Sequence, residues 1–317
     1  LKPFLLGDIG GTNARFALAE GGSIGPIERR HTADTPDFLS TVERALSSHG
    51  GPGAIAGAAF AVAGPVENGR CALTNSPWVV DRDALRHRLG LRTVIMMNDF
   101  AAVARSLPAL GGRDLVQAGG GEAVSGTPAV VFGPGTGLGV AALIKHASEE
   151  IVIASEGGHA TFASADERQE AVVRLLRARH GHVSIERVLS GGGLVALHDT
   201  IATIDGKTVP ARDAAAITSA AREGSCEVCR AALEMFCAIL GSVAGNLALT
   251  FGAQGGVYIA GGIVPRFADR LGETRFRQQF EAKGRFQSYL APIPCWVITH
   301  SDAALVGLAR MIGSGPS

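Results

Sequence analysis

An α/β chain with two sheet-centred lobes is what the sequence predicts, on three observations. Apolar strand-like runs alternate with helical segments along the chain. A strand, a glycine turn and a second strand occur twice, at residues 5–18 and 129–145, as two equivalent halves would require. The length, 317 residues, suits two domains or one divided by a cleft, where a ligand is expected.

The elements follow in order. Residues 4–6, a glycine turn over 7–13 and the apolar alternation of 14–18 read as a β-hairpin. Residues 37–48 form a helix, 54–63 a strand and 81–89 a helix with Asp81 as N-cap. A strand over 93–97 delivers Asn98 and Asp99 at its C-terminal end, ahead of a short helix to Ser106. Strands 129–132 and 139–145 flank the second glycine loop, 133–138. Helices are expected over 166–180, 211–222 and 227–249. A strand over 257–260 then leads into Gly261-Gly262-Ile263, and one over 296–299 into a helix over about 302–311.

Composition excludes several classes. The 43 glycines are roughly twice the usual share, yet they show no every-third-residue period, so collagen is excluded and turns or close backbone approaches must use them. With 46% hydrophobic and 18% charged residues, the chain has ample material for a core and global disorder is excluded. Lys+Arg and Asp+Glu balance at 29 each, leaving no field to draw nucleic acid or an anionic membrane to the surface. The uncharged stretches 123–144 and 235–265 are broken by prolines and glycines, or divide into a buried helix and a buried strand, so no membrane span is expected. The five cysteines are odd in number and scattered, and no charged-then-apolar leader stands ahead of the first strand, which suits a reducing cytoplasm. Cys226 and Cys229 make a C-x-x-C, but no second Cys or His pair stands at zinc-like spacing; buried or incidental thiols are the reading.

Several constellations could carry chemistry. The run Gly7, Asp8, Ile9, Gly10, Gly11, Thr12, Asn13 puts backbone N–H groups, clear of Cβ atoms, where a polyphosphate can lie, with the Asp8 carboxylate close enough to hold a hydrated Mg²⁺. An ordinary glycine-rich hairpin turn reads the same way. Gly133, Gly135, Thr136, Gly137 and Gly139 form a second such loop, either phosphate-binding or simply a hairpin, and Gly261-Gly262 a third turn at a strand end. Gly206-Lys207-Thr208 resembles the end of a P-loop, but the earlier glycine that loop needs falls on Ile201. Asp99 could meet a substrate hydroxyl or merely cap the following helix. Glu156 and His159, around two glycines, suit hydrogen bonds to neighbouring sugar hydroxyls, while Glu186 alone could be a cap or a surface ion pair.

Taken together, the motifs resemble a family. Leu6-Gly-Asp-Ile-Gly-Gly-Thr-Asn-Ala-Arg15, Ala61-Val-Ala-Gly-Pro-Val66, Leu73-Thr-Asn75 with Trp78, Asn98-Asp-Phe100, Phe132-Gly-Pro-Gly-Thr-Gly-Leu-Gly139, Glu156-Gly-Gly-His159, Leu189-Ser-Gly-Gly-Gly193 and Ala260-Gly-Gly-Ile263 occur in that order over essentially the whole chain. The chain resembles the bacterial glucokinases of the non-repressor type, within the sugar kinase/Hsp70/actin-like superfamily. The resemblance implies a two-lobed actin-like (ribonuclease H-like) ATPase fold with a cleft between lobes, divided into a small domain, 1–109 plus 300–317, and a large one, 110–299. It implies ATP and Mg²⁺ as cofactors, with residues 7–13 and 133–139 on the phosphates and Gly261-Gly262 at the adenosine. It further implies that Asn98, Asp99, Glu156, His159 and Glu186 hold glucose, that Asp99 is the base for transfer to the 6-hydroxyl, and that the protein is a cytoplasmic homodimer. Related kinases that pair E-x-G-H with a zinc cluster carry cysteines that have no match here. The alternatives are a kinase for fructose or an N-acetylhexosamine, and a non-catalytic sugar sensor; against the sensor, a first strand starting almost at residue 1 leaves no room for a helix-turn-helix.

Overall fold

The computed structural model describes residues 2–73, 76–146 and 149–313, so Thr74 and Asn75 of the Leu73-Thr-Asn75 motif and residues 314–317 lie outside the described residues. The chain divides into two compact units, Leu1–Gly111 with His300–Ser317, and Gly112–Thr299.

In the first unit β1 (Phe4–Ile9) pairs antiparallel with β2 (Asn13–Glu20), which carries the short strands β3 (Ser23–Ile24) and β4 (Glu28–His31). Helix α1 (Phe38–Ser47) follows, with the Asp37 side chain accepting the Ser40 N–H as its cap. On the other side of β1 lies β5 (Gly57–Val62), parallel to it and buried throughout, as its unbroken apolar run requires. The sheet continues, past the separate pair β6 (Arg70–Ala72) and β7 (Val79–Asp81), to β8 (Thr93–Asn98), parallel to β5. Helix α2 (Arg82–Leu89) has Asp81 as its cap, and α3 (Asp99–Ser106) starts directly from β8. Phe38, Phe60 and Trp78 form the aromatic centre of the core, Phe38 lying 5.2 Å from Phe60 and 5.8 Å from Trp78 between ring centroids.

The expected turn over 7–13 is shorter than the sequence suggests. Gly7, Asp8 and Ile9 belong to β1, because the parallel ladder with β5 runs on to Ile9 opposite Val62; only Gly10, Gly11 and Thr12 turn. A Cβ on Gly7 would stand 2.5 Å from the Phe60 ring, so this glycine makes room for a core side chain.

The second unit repeats the plan. Its sheet runs β12-β11-β10-β13-β14-β9, with β9 at Leu115–Gly119, β10 at Ala129–Pro134, β11 at Leu138–His146, β12 at Glu149–Ser155, β13 at Val257–Ile259 and β14 at Cys295–Ile298. As β1, β5 and β8 do, β10, β13 and β14 run parallel, and β10–β11 is the antiparallel hairpin. The helices are α4 (Glu167–His180), α5 (Gly191–Ile204), α6 (Ala214–Glu223), α7 (Glu227–Phe251), α8 (Phe276–Glu281) and α9 (Gln287–Leu290), with a kinked 3₁₀ stretch, Val264–Glu273, between β13 and α8. Helix α6 starts three residues later than expected because Asp213 caps it through the Ala216 N–H. Helix α7 is long and apolar enough to cross a membrane; here 72% of its most apolar window is buried inside the protein.

The sequence pattern misses the short elements β3, β4, β6, β7, α8 and α9, and also β9, β12 and α5. β12 is an edge strand with both charged and apolar residues exposed, so it lacks a clean period-2 face. Helix α5 opens on three glycines, poor helix formers that read as a loop; it holds because Ser190 caps the Gly193 N–H at 2.9 Å and Leu194, Leu197 and Ile201 are buried.

Candidate active site

In the first unit the expected site residues gather at the carboxyl ends of the parallel strands, where open α/β sheets present ligands. Asp8 on β1 and Met97 on β8 are in register through Ala61 of β5, so Asp8 and the Asn98-Asp99 pair stand two strand spacings apart, about 10 Å. The turn from β1 to β2 is pinned from behind, the Thr32 hydroxyl donating to the Gly11 carbonyl at 2.8 Å and the Thr32 N–H to the Thr12 carbonyl at 3.0 Å. Thr12 and Asn13 are exposed.

At the end of β8 the cap of α3 is Asn98. Its Oδ1 accepts the N–H groups of Phe100 at 2.9 Å and Ala101 at 3.2 Å, while its Nδ2 donates to the Gly64 carbonyl at 3.2 Å. Asp99 is therefore the first residue of the helix, where the aligned peptide dipoles favour a carboxylate, and its Oδ1 accepts the Phe100 N–H at 2.9 Å.

Asp8 has company the sequence did not disclose. Arg15, opposite it across the hairpin, donates from Nη1 to Asp8 Oδ2 at 2.5 Å, and Arg15 Nε lies 3.5 Å from Asp302 Oδ1. Asp302 receives both its oxygens' bonds from Arg29 at 2.9 Å, plus the Ser301 hydroxyl at 2.6 Å. Burial pushes the Asp8 carboxyl above the ordinary aspartate value, and Arg15 only partly opposes it. A carboxylate short of positive compensation suits a hydrated Mg²⁺ next to it, so Asp8 fits the metal role that the resemblance implies. Once the turn is narrowed to 10–12, strand register alone places Arg15 against Asp8; no local signal could place Arg29 beside Asp302, 273 residues away.

In the second unit all the expected residues converge. A Cβ on Gly133 would stand 2.4 Å from the Ala260 carbonyl carbon, and one on Gly261, at φ +87°, 2.3 Å from the Pro134 oxygen, so the second and third glycine turns interlock by backbone contact. Gly135 and Gly262 are different: nothing lies within 4 Å of a Cβ there, which leaves open backbone where a phosphate or nucleotide can approach. Thr136 is exposed beside them, as Thr12 is in the first turn. Glu186 Oε2 accepts the Leu138 N–H at 2.8 Å, and the Glu186 N–H donates to the Gly158 carbonyl at 2.9 Å, tying Glu186 to both Gly137-Leu138 and the Glu156–His159 turn. Glu156 and His159 are half exposed, with Oε2 and Nε2 3.9 Å apart. The N-terminus of α5 also reaches the site, the Gly191 N–H donating to the Gly135 carbonyl at 2.8 Å. Sequence reasoning missed that helix start, although Ser190 ahead of a 3.6-residue apolar period was its signal.

A family model described as Glucokinase matches residues 5–314. The chain belongs to the glucokinase family. It is 47% identical over 311 residues to a glucokinase of Paramagnetospirillum magneticum, covering 97% of each chain. Among solved structures, a glucokinase from an Antarctic psychrotroph is similar at a TM-score of 0.87 and 37% identity, over 99% of this chain and 100% of that one. A ROK family glucokinase from Streptomyces griseus, in complex with glucose and AMPPNP, shares the fold at a TM-score of 0.65 and 20% identity, over 98% of both chains. The fold is accordingly the actin-like ATPase fold of this family and its sugar-kinase neighbours, with one such sheet in each unit.

Proposed function

We propose that the chain transfers the γ-phosphoryl group of ATP to the 6-hydroxyl of D-glucose. Membership of the glucokinase family supports the reaction. The observation that carries the catalytic assignment is the position of Asp99, the first residue of α3, directly at the C-terminal end of the parallel strand β8.

In this reading Asp99 accepts the proton of the 6-hydroxyl as its oxygen attacks, a role worth about 10²–10⁴ in rate. Asn98, Glu156, His159 and Glu186 hold the sugar hydroxyls, and a missing hydroxyl would leave their polar groups unpaired, which is the source of selectivity. The open backbone at Gly135 and Gly262, with Gly10, Gly11, Thr12, Asn13, Thr136 and Gly137, takes the nucleotide and its phosphates. Gly7, Gly133 and Gly261 support those turns from within the packing. Asp8 would hold Mg²⁺, which when bound would supply charge neutralisation at the phosphates. Action in the cytoplasm as a homodimer goes with this reading, and light scattering on the eluting protein checks the dimer.

The test is the purified chain with MgATP and a panel of hexoses, read by coupled ADP formation. Glucose is expected to give the highest kcat/KM. Faster turnover of fructose or an N-acetylhexosamine would change the acceptor, and binding of glucose with no ADP formed from any sugar would make the chain a sensor.

A further inference from the structure

The cysteine pair that the sequence left without a role acquires a third partner in the fold. Cys226 is the N-cap of α7, its sulfur accepting the Cys229 N–H at 3.5 Å, so residues 226 and 229 share one side of the first helical turn. Helix α5 of the same unit carries His198, which is fully buried. A ring nitrogen of His198 and the two sulfurs all lie within 4.8 Å of one another. His198 Nδ1 is 2.9 Å from Asp199 Oδ1, which fixes the proton on Nδ1 and leaves Nε2 with its lone pair. That Nε2 is buried and, among the described residues, has no hydrogen-bond partner. A carboxylate on one ring nitrogen of an imidazole that lies beside two thiols matches the way metal-bound imidazoles are held.

We propose that His198, Cys226 and Cys229 bind one zinc ion, with Asp199 orienting the imidazole and a water completing the tetrahedron on the partly exposed Cys226 side. Borderline-soft N and S donors select zinc over Mg²⁺ or Ca²⁺. Two thiolates and a neutral imidazole cancel the charge of Zn²⁺, which a half-buried site needs. Binding forms two Zn–S bonds and one Zn–N bond, and releases the two thiol protons to solvent. Zn–S near 2.3 Å and Zn–N near 2.0 Å place ligand atoms roughly 3.4–3.8 Å apart, so the three, now within 4.8 Å of one another, must close by no more than about 1.4 Å. The N-terminus of α7 and the Arg212 guanidinium lower the Cys226 thiol, whereas burial pushes the Cys229 thiol up to about 11. The ion would join α5 to α7 and so brace the helix whose first N–H holds the Gly135 carbonyl.

The test is titration of the reduced, metal-stripped full chain with Zn²⁺ against a chromophoric chelator, and with Co²⁺ in parallel. One equivalent of Zn²⁺ per chain, a thiolate-to-cobalt charge-transfer band and zinc protection of Cys226 and Cys229 from alkylation are expected. Cys226→Ser keeps a good helix cap and should fold, yet bind zinc at least about 100-fold more weakly; Asp199→Asn should weaken binding about 10–100-fold. Failure of the folded wild-type chain to take up one equivalent overturns the proposal. So does uptake unchanged in both Cys226→Ser and Cys229→Ser, or a Cys226–Cys229 disulfide in place of zinc uptake, which would make the pair a redox dithiol.

Discussion

The two glycine hairpins, β1–β2 and β10–β11, come from the same sequence pattern and occupy the same place in their sheets, but they are held differently. In the first, the strand glycine Gly7 yields to a side chain, the Phe60 ring, and the nearby carboxylate Asp8 answers to arginine. In the second, Gly133 yields to the Ala260 backbone, and the carboxylate Glu186, supplied from 48 residues away, answers to one N–H group. Side chains shift more readily than backbone, so the packing around Gly133 is less able to give than that around Gly7. Arginine only partly offsets the buried Asp8 carboxylate, and the single N–H on Glu186 likewise leaves that carboxylate capacity for a ligand.

The contrast is testable, and its largest effect should be on folding. Gly133→Ala is expected to cost about 3 kcal/mol or more in denaturant unfolding, or to abolish folding, and no side-chain truncation should rescue it. Gly7→Ala should cost about 1–3 kcal/mol and be partly rescued by Phe60→Leu. Equal losses for the two would remove the distinction.

Activity should divide along the same line. Asp99→Asn, in the first unit, is expected to lower kcat at least about a hundredfold with glucose KM little changed, as seen in a coupled assay. Near-normal turnover would take Asp99 out of the base role. Glu156→Gln, in the second, should instead raise glucose KM roughly tenfold and leave ATP binding nearly unchanged; the reverse pattern would mean the sugar residues are misassigned.

The smallest effect concerns Asp8 and stability. Because burial holds its folded pKa above 3.8, the native state keeps that proton longer than the unfolded chain does, and stability falls as pH rises through the folded pKa. Asp8→Asn should therefore be as stable as wild type or slightly more so at pH 7, by less than about 1 kcal/mol, with the gap closing as pH falls towards 3.8. A variant that lost several degrees of Tm at pH 7 would show the Arg15 pair to be a net stabiliser.

Much of this was legible locally. Asp81 as a helix cap, the apolar run of β5, the long buried α7 and both hairpins follow from periodicity and capping, which depend on neighbours within a few residues. The roles of Asn98 and Asp99 at the start of α3 were not legible, since either side chain could reach the first N–H groups; both accept the Phe100 N–H, and Asn98 holds the cap position because β8 runs one residue further and its side chain also meets Ala101 and Gly64.

By itself, then, the sequence determined where strands turn on glycine, which carboxylates stand at strand ends and, through ordered motifs, the family. Tertiary structure alone decided what each glycine is for, because the neighbour of an absent Cβ comes from another strand: Phe60 for Gly7, Ala260 for Gly133, open space for Gly135 and Gly262. It decided likewise that Asp302 meets Arg29 and that His198 meets Cys226 and Cys229. Those partners are far apart in the chain, and only the approach of β4 to Asp302, and of α5 to α7, brings their charges and lone pairs within reach.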